Sequence, residues 1–370
     1  MKSSIQISPK DTINAFLLFF IIQSAQIGVG IHGFQRIIYQ DAKQDAWISV
    51  LLAGLATHII AFFMIKTLQM YGSNDLYGIH QDVFGKWIGN FFNILYIIYC
   101  SVAFIAVLRN YIEVVQTWVF PDLATWFLAA SLLLIVIYTF TGGLRVIVGI
   151  SFFSTILSIW LFPLLIFPVK FMELSDLLPI LEANMTEILK GAKSMTFTVI
   201  GFEIIYVIYP FVKDKENAKK HIHLGLFVTT MLYLVIMLVS LSYFSGEQLT
   251  KTIWATLSLF NIVQLPFIER VEYIVVCFWM LIILPNLCLF IWSAFRGIRR
   301  MVKINANKFV WIFSLIIFVL SLTFKTRTQI NMFNDYFGKV AFYIIFVYPI
   351  FLYVIAAIKK KFKSHKEQSE

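Results

Sequence analysis

The sequence predicts an all-α transmembrane fold of about ten helices, which form a single integral membrane domain over residues 1–370. Three observations support this prediction. Hydrophobic residues make up 60% of the chain and charged residues only 14%, whereas a soluble domain carries about a quarter charged residues. The mean hydropathy is +0.83. Apolar runs such as 46–64, 146–169 and 224–244 reach or exceed the roughly 18 residues that indicate a membrane-spanning helix.

Taken in order, the apolar segments predict spans 1 to 10. They lie at residues 12–37, 46–69, 90–118, 122–141, 145–169, 194–212, 221–244, 270–296, 308–324 and 334–358. An even number of spans returns both termini to one side of the membrane. Most Lys and Arg residues outside the spans lie in the segments on that same side, so the positive-inside rule predicts cytoplasmic termini.

Three connections between the predicted spans are long. The connection at 71–90 faces the cytoplasm, and those at 170–193 and 245–269 face outward. In the two outer connections, residues 177–189 and 253–262 are apolar. Each of these segments can lie on the membrane surface or cap a cavity, and the sequence leaves both interpretations open.

The polar residues give no sign of enzymatic chemistry. Cys100, Cys277 and Cys288 fall inside predicted spans without CxxC spacing, which argues against disulfides and a zinc site. The six histidines lack metal-ligand spacing, and there is no phosphate-binding loop or nucleophile elbow. The net charge of +10 comes from short basic loops, which suit membrane lipid rather than nucleic acid. We therefore predict no cofactor, no metal and no catalysis.

Span 1 carries the sequence Gly28-Val29-Gly30 beyond its midpoint. Two glycines so close together can leave helical geometry and bring bare backbone amides to a solute. The half-helix that follows would point its positive end at an anionic group such as a carboxylate. The alternative is close packing of neighbouring helices through small residues.

Span 6 offers a second break, with a glycine and a carboxylate in an otherwise apolar stretch. Its candidate residues are Phe197, Thr198, Ile200, Gly201, Phe202 and Glu203. A break within a span is tolerated only where protein, water or a ligand satisfies the backbone, so spans 1 and 6 together predict a solute site. Glu203 can accept a proton or meet an ammonium group. Alternatively, its protonated form can brace a neighbouring helix.

Weaker candidates lie in spans 3 and 8. Arg109 and Glu113 are spaced i,i+4 on one helix face and can neutralise each other. They either stabilise the scaffold or line the route by which a solute enters. Pro285-Asn286 predicts a bend in span 8 and a weaker lining segment. We interpret His32 and His58 as packing residues.

Breaks in spans 1 and 6, five spans apart, are what an inverted five-plus-five repeat produces, with 1–169 as the first half and 194–358 as the second. Gly28-Val29-Gly30 with residues 197–203 resembles the amino acid/polyamine/organocation transporter superfamily and its LeuT-like core, in which helices 1 and 6 are broken. Five further stretches are similar to the B subunit of Ger-type spore germinant receptors. They are LRNYIE at 108–113, LPIL at 178–181, ILKGA at 188–192, YPFVKDK at 209–215 and LPFIERVE at 265–272. The turn at 121–124 lacks the Thr-Pro of that pattern.

This resemblance implies a receptor subunit in the inner membrane of a dormant spore, acting with an A subunit and a C lipoprotein. It implies that a nutrient, most often an amino acid, binds between helices 1 and 6 and triggers germination. Amides at Gly28 to Gly30 would then hold the carboxylate, carbonyls of Thr198 to Ile200 the ammonium, and Phe197 and Phe202 would shape the pocket. An amino acid permease, proton-coupled through Glu203, is the alternative, and a channel component is a third interpretation.

Overall fold

The computed structural model describes residues 7–8, 11–72, 74–266 and 268–369, with side chains up to residue 362. The described residues contain six helical segments that are long and apolar enough to cross a membrane. These are Phe34–Tyr71, Leu76–Trp118, Leu144–Val169, Lys215–Tyr243, Val271–Met301 and Arg327–Phe362. Four shorter apolar helices are Leu17–Gln26, Thr125–Thr141, Phe202–Phe211 and Ala306–Ser321. The chain is therefore an integral membrane protein.

The first five spans are built from seven α-helices. These are α1 (Leu17–Gln26), α2 (Phe34–Ala42), α3 (Ala46–Tyr71), α4 (Leu76–Trp118), α5 (Thr125–Thr141), α6 (Leu144–Ser158) and α7 (Ile166–Val169). Span 1 consists of α1 and α2 with a 3₁₀ turn, Val29–His32, between them. Span 5 begins as α6 and continues through two 3₁₀ turns into α7.

The described residues of the remaining chain contain ten α-helices. These are α8 (Met185–Ser194), α9 (Thr196–Val199), α10 (Ile205–Ile208), α11 (Lys215–Tyr243), α12 (Gly246–Lys251), α13 (Ala255–Phe260), α14 (Val271–Met301), α15 (Ala306–Ser321), α16 (Arg327–Phe342) and α17 (Tyr348–Ser369). Span 6 consists of α9 and α10 with 3₁₀ turns on either side of α10. Span 10 is formed by α16 and α17, which a π-helical turn joins at Tyr343–Val347.

The predicted all-α fold with breaks in spans 1 and 6 is confirmed. The division into repeats at residues 1–169 and 194–358 stays a prediction.

One connection differs from expectation, because much of 71–90 is helical. Asp75 accepts a hydrogen bond from the Gly78 amide at 3.0 Å and so caps the start of α4. Gly85, with φ +82°, then turns this helix into span 3. The hydropathy of the sequence did not indicate this helix, because its polar residues interrupt the apolar run.

The helices pack so that the break of span 1 lies at the centre of the molecule. α4 runs along α14, and α1 contacts α6, α11 and α14. At the side that the sequence predicts to face the cytoplasm, which we call the inner side, the start of span 1 is joined to the end of span 6. The Ile13 amide donates to the Phe211 carbonyl at 2.9 Å, and the Lys213 amide donates to the Ile13 carbonyl at 3.0 Å. The two broken spans are therefore held together at their inner ends.

Candidate functional site

Span 1 loses its helical geometry at Ile27 and Gly28. Ile27 has ψ 90°, and Gly28 is extended, with φ −113° and ψ −155°. The 3₁₀ turn that follows starts a new helical segment, so the amides of Val29 and Gly30 lack carbonyl partners in a preceding turn. A Cβ on Gly30 would lie 3.1 Å from Thr198 Oγ1. The missing side chain at Gly30 thus lets span 1 approach span 6 closely.

Span 6 breaks at Ile200 and Gly201. Ile200 has ψ 167°, and Gly201 has φ +115°, a region that residues with a side chain rarely adopt. A Cβ on Gly201 would also lie only 2.1 Å from the carbonyl oxygen of Ala25. Glycine is therefore required at this position both for the backbone conformation and for the contact with the end of α1.

Polar side chains hold the two breaks against each other. The amide Nε2 of Gln26 donates to the Val199 carbonyl at 2.7 Å. The Tyr233 hydroxyl lies 3.2 Å from the Gln26 carbonyl and 3.3 Å from the Thr198 carbonyl, so it can donate its proton to either of them. The carbonyls of Thr198 and Val199, which the sequence assigns to a ligand ammonium, thus already have donors from within the protein.

Asn286 supports the end of α1 from span 8. Its Nδ2 donates to the Ala25 carbonyl at 2.7 Å, and it is 2% exposed. The other atom of its amide, Oδ1, is buried and has no hydrogen-bond partner, and the same holds for Oε1 of Gln26. Buried polar groups in native proteins nearly always have a partner. These two oxygens are therefore acceptors that a ligand can satisfy.

A narrow cleft lies between the breaks, walled by spans 1, 3, 6, 8 and 10. Its volume is about 30 Å³, which holds about two water molecules at roughly 15 Å³ each. Nine of the residues that line it are Gln26, Gly28, Val29, Gly30, Asn110, Phe197, Thr198, Ile200 and Asn286. Six of the predicted site residues thus come together here, whereas Gly201, Phe202 and Glu203 lie outside the lining.

Glu203 faces span 3 rather than the cleft. It is 1% exposed, and its carboxylate accepts hydrogen bonds from the Tyr99 hydroxyl at 2.6 Å and the Gly201 amide at 2.7 Å. Its backbone carbonyl accepts from the Tyr96 hydroxyl at 3.2 Å. Both carboxylate oxygens are therefore occupied within the protein, and Glu203 fastens the break of span 6 to span 3. Phe202 is fully buried behind the break, with its ring centre 6.2 Å from that of Phe346.

Charged residues close the outer end of span 3. Glu113 forms an ion pair with Arg327 of α16 at 2.9 Å, while Arg109 donates to the Phe324 carbonyl at 3.1 Å. The guanidinium of Arg327 also lies over the Trp254 ring, 4.3 Å from its centre. Glu113 is about one turn farther out on α4 than Asn110, which lines the cleft. The pair thus joins span 10 to span 3 on the outer side of the cleft.

Sequence reasoning missed Tyr99 and Tyr233, assigned no role to Gln26, and gave Asn286 only a minor one. A polar amide two residues before Gly28 was a usable signal, since a break needs side chains to satisfy its carbonyls. The tyrosines gave no such signal, because tyrosine is also enriched where membrane helices meet water. Groups of three or more His, Cys, Asp or Glu that could hold a metal are absent from the residues described.

Comparison with known sequences gives consistent matches along the chain. Residues 12–330 match a family described as "Spore germination protein". Spore germination protein GerQB of Bacillus cereus is 36% identical, with 97% of this chain and 99% of the relative covered. Spore germination protein YndE of Bacillus subtilis (strain 168) is 24% identical, with 96% and 99% covered. Spore germination protein A2 of the same organism is 23% identical, with 94% and 96% covered.

The fold is similar to a solved transporter structure. Mhp1, a nucleobase-cation-symport-1 family transporter, was solved in a closed conformation with bromovinylhydantoin bound. The TM-score is 0.57, with 12% sequence identity, and the match covers 92% of this chain and 80% of Mhp1. At this identity the likeness establishes the LeuT-like membrane fold.

Proposed function

The chain belongs to the spore germination protein family, and from this premise we propose that it is the membrane subunit of a nutrient germinant receptor. In this proposal the subunit lies in the inner membrane of the spore with an A subunit and a C lipoprotein. It binds a small solute, an amino acid, between the breaks of spans 1 and 6 and triggers germination. The family and fold are those of membrane receptors and transporters rather than enzymes.

The observation that carries the proposal is the pairing of donors and acceptors around the cleft. The amides of Val29 and Gly30 begin a helical turn, where backbone donors and the positive dipole end favour a carboxylate. The unpartnered oxygens of Gln26 and Asn286 are acceptors, which suit the three donors of an ammonium group. A zwitterionic α-amino acid presents both groups on one carbon atom. It therefore matches this cleft better than a nucleoside or a sugar does.

The small volume of the cleft supports a signalling role. At about 30 Å³ it holds roughly two waters, so a bound amino acid requires the surrounding spans to move apart. A ligand shifts an equilibrium between two arrangements only if it binds one of them better. Binding here would favour the wider arrangement, and the movement of the broken spans would carry the signal to the partner subunits.

A binding screen tests this proposal directly. The purified protein is screened against amino acids, nucleosides and sugars by thermal shift, alone and in complex with its partner subunits. The same screen uses Gly30→Leu, which fills the cleft beside Thr198. We expect an amino acid at 100 times its Kd to stabilise the wild type by about 2.7 kcal/mol and not to stabilise the variant.

The matched control is Gly149→Leu, because a Cβ at Gly149 meets nothing within 4 Å. This variant should respond to the amino acid like the wild type. An undiminished shift in Gly30→Leu would exclude the proposed site. A shift with nucleosides or sugars alone would overturn the assignment of the ligand class.

A permease that carries an amino acid is the second candidate, and the similarity to the fold of a symporter favours it. Two contacts argue against ion coupling in this chain. Half-helix C-terminal carbonyls coordinate Na⁺ in many transporters, but here the Ala25 carbonyl accepts from the Asn286 amide. The carboxylate of Glu203, the candidate proton carrier, is held by Tyr99 and Gly201.

A further inference from the structure

The outer connection between spans 5 and 6 exposes large apolar side chains. Their exposed fractions are 71% for Leu174, 59% for Leu178, 53% for Ile180, 73% for Leu181, 66% for Met185 and 54% for Leu189. Single exposed apolar residues are ordinary on a protein surface, whereas a concentration of them marks an interaction site. Residues 174–189 thus form an apolar surface, which we call the outer segment.

Several backbone amides of the outer segment have partners within the protein. The carboxylate of Asp45 accepts hydrogen bonds from the Leu181 amide at 2.7 Å and the Ala183 amide at 2.8 Å. Asn184 and Glu187 form a capping box at the start of α8. Backbone groups that have partners within the protein can be placed against hydrocarbon at little cost, and unsatisfied ones cannot. The amides of Leu181, Ala183, Asn184 and Glu187 thus have partners within the protein, in the part of the segment where apolar side chains are exposed.

The depth of the outer segment follows from its contacts with span 2. Asp45 immediately precedes α3, and Ser49, one turn into α3, donates from its hydroxyl to the Ile188 carbonyl at 2.8 Å. The outer segment therefore lies beside the outermost turn of a membrane span. Helix α8 of this segment packs against α3, and farther along α3 an apolar side chain, Leu55, is 56% exposed. The outer segment therefore adjoins a span that itself exposes apolar side chains at membrane depth.

We propose that the outer segment is an interfacial membrane anchor, whose apolar side chains insert into the outer leaflet at the boundary between head groups and acyl chains. Its binding partner is lipid. The exposed side chains of Lys170, Lys190 and Lys193 flank it, and lysine at this depth extends its ammonium to lipid phosphates. Because α8 leads directly into α9, the anchor also fixes the outer half of span 6 relative to the bilayer.

Spin-label accessibility tests this anchor in the full chain. Nitroxides are attached to Leu181→Cys and Met185→Cys in a Cys277→Ala background, since Cys277 is the exposed native cysteine and Cys100 and Cys288 are buried. The protein is placed in phosphatidylglycerol–phosphatidylethanolamine vesicles. Collision rates with oxygen, which partitions into lipid, and with a water-soluble nickel chelate are compared. The matched control is Glu182→Cys, at an exposed position of the same segment.

We expect a higher ratio of oxygen to nickel collisions at Leu181 and Met185 than at Glu182. Equal ratios at all three positions would place the segment in water and overturn the proposal. Protection of Leu181 and Met185 from both reagents, seen only when the chain is in complex with other proteins, would identify a protein partner in place of lipid. Thermal unfolding of each variant verifies that the labels leave the fold intact.

Discussion

The carboxylate of Glu203 connects the break of span 6 to span 3. One oxygen accepts from the Tyr99 hydroxyl and the other from the Gly201 amide. The Gly201 amide would otherwise be left without a partner by the break in span 6, at a cost of about 1–3 kcal/mol for a buried group. A carboxylate two residues after the glycine thus stabilises the backbone conformation that forms the cleft.

We expect Tyr99→Phe to lower the free energy of unfolding by about 1–3 kcal/mol, because it leaves a carboxylate oxygen of Glu203 buried without its donor. Thermal unfolding of the purified protein measures this effect. Tyr138→Phe is the matched control, since the Tyr138 side chain is 83% exposed. Equal unfolding temperatures for the two variants would show that the Tyr99–Glu203 contact does not stabilise the break.

We expect Asn286 to accept a hydrogen bond from the amino group of the solute. Asn286→Ala removes the acceptor Oδ1 and should weaken amino acid binding by about 1–3 kcal/mol, or roughly fivefold to 150-fold in Kd. The same acid without its amino group should bind both proteins equally well. Isothermal titration of the two ligands against the two proteins gives this double comparison. A loss of the same size for both ligands would mean that Asn286 only supports the end of α1.

Elements from three parts of the chain meet at the outer side of the cleft. Glu113 comes from α4 and Arg327 from the first residue of α16, while Trp254 from the outer connection between α12 and α13 lies under the guanidinium of Arg327. The ion pair is partly exposed, with side-chain exposures of 33% for Arg327 and 12% for Glu113. Such a pair contributes little to stability, but together with the hydrogen bonds between Asn110 and Asn334 it joins α4 to α16.

Arg327→Gln removes the ion pair on the outer side of the cleft, so we expect it to speed both association and dissociation of the solute. It should lower the free energy of unfolding by less than about 1 kcal/mol. Stopped-flow binding and thermal unfolding measure the two effects. Lys251→Gln, which breaks the largely exposed pair with Glu247, serves as the control and should change neither rate. Unchanged rates in Arg327→Gln would contradict a closing role for this contact.

Closing contacts are present at both ends of the molecule. At the inner side, Arg296 and Arg300 of α14 lie 3.5 Å from the Asp75 carboxylate, and Ile13 pairs with the backbone at Phe211 and Lys213. The cleft thus lies between an outer and an inner set of contacts. A receptor needs only to change the arrangement of its helices when the solute binds. A carrier must open the cleft first to one side of the membrane and then to the other.

Uptake of the solute into proteoliposomes distinguishes a receptor from a carrier. We expect the reconstituted chain to bind a radiolabelled amino acid without accumulating it, because contacts close both ends and the Ala25 carbonyl and the Glu203 carboxylate already have donors within the protein. The Gly30→Leu variant measures non-specific retention. Accumulation that depends on a pH gradient and is lost in Glu203→Gln would identify a proton-coupled permease and contradict the receptor assignment.

Local properties of the sequence determined the all-α membrane architecture, the positions of the spans and the residues at which spans 1 and 6 break. Transfer of a helix into lipid depends on the apolarity of its own residues, and the freedom of Gly28 and Gly201 to leave helical geometry is intrinsic to glycine. Short motifs likewise pointed to the spore germination family, and the match over residues 12–330 confirmed it.

Only the tertiary structure decided which groups satisfy the broken backbone. Tyr233 and Asn286 are more than 200 residues away in the chain from their acceptors in span 1, and no local pattern indicates that they meet there. For the same reason, sequence could not tell that Glu203 faces span 3 or that Glu113 pairs with Arg327. Hydrogen bonds and ion pairs depend on distance and direction between side chains of different helices, which are fixed when the helices pack.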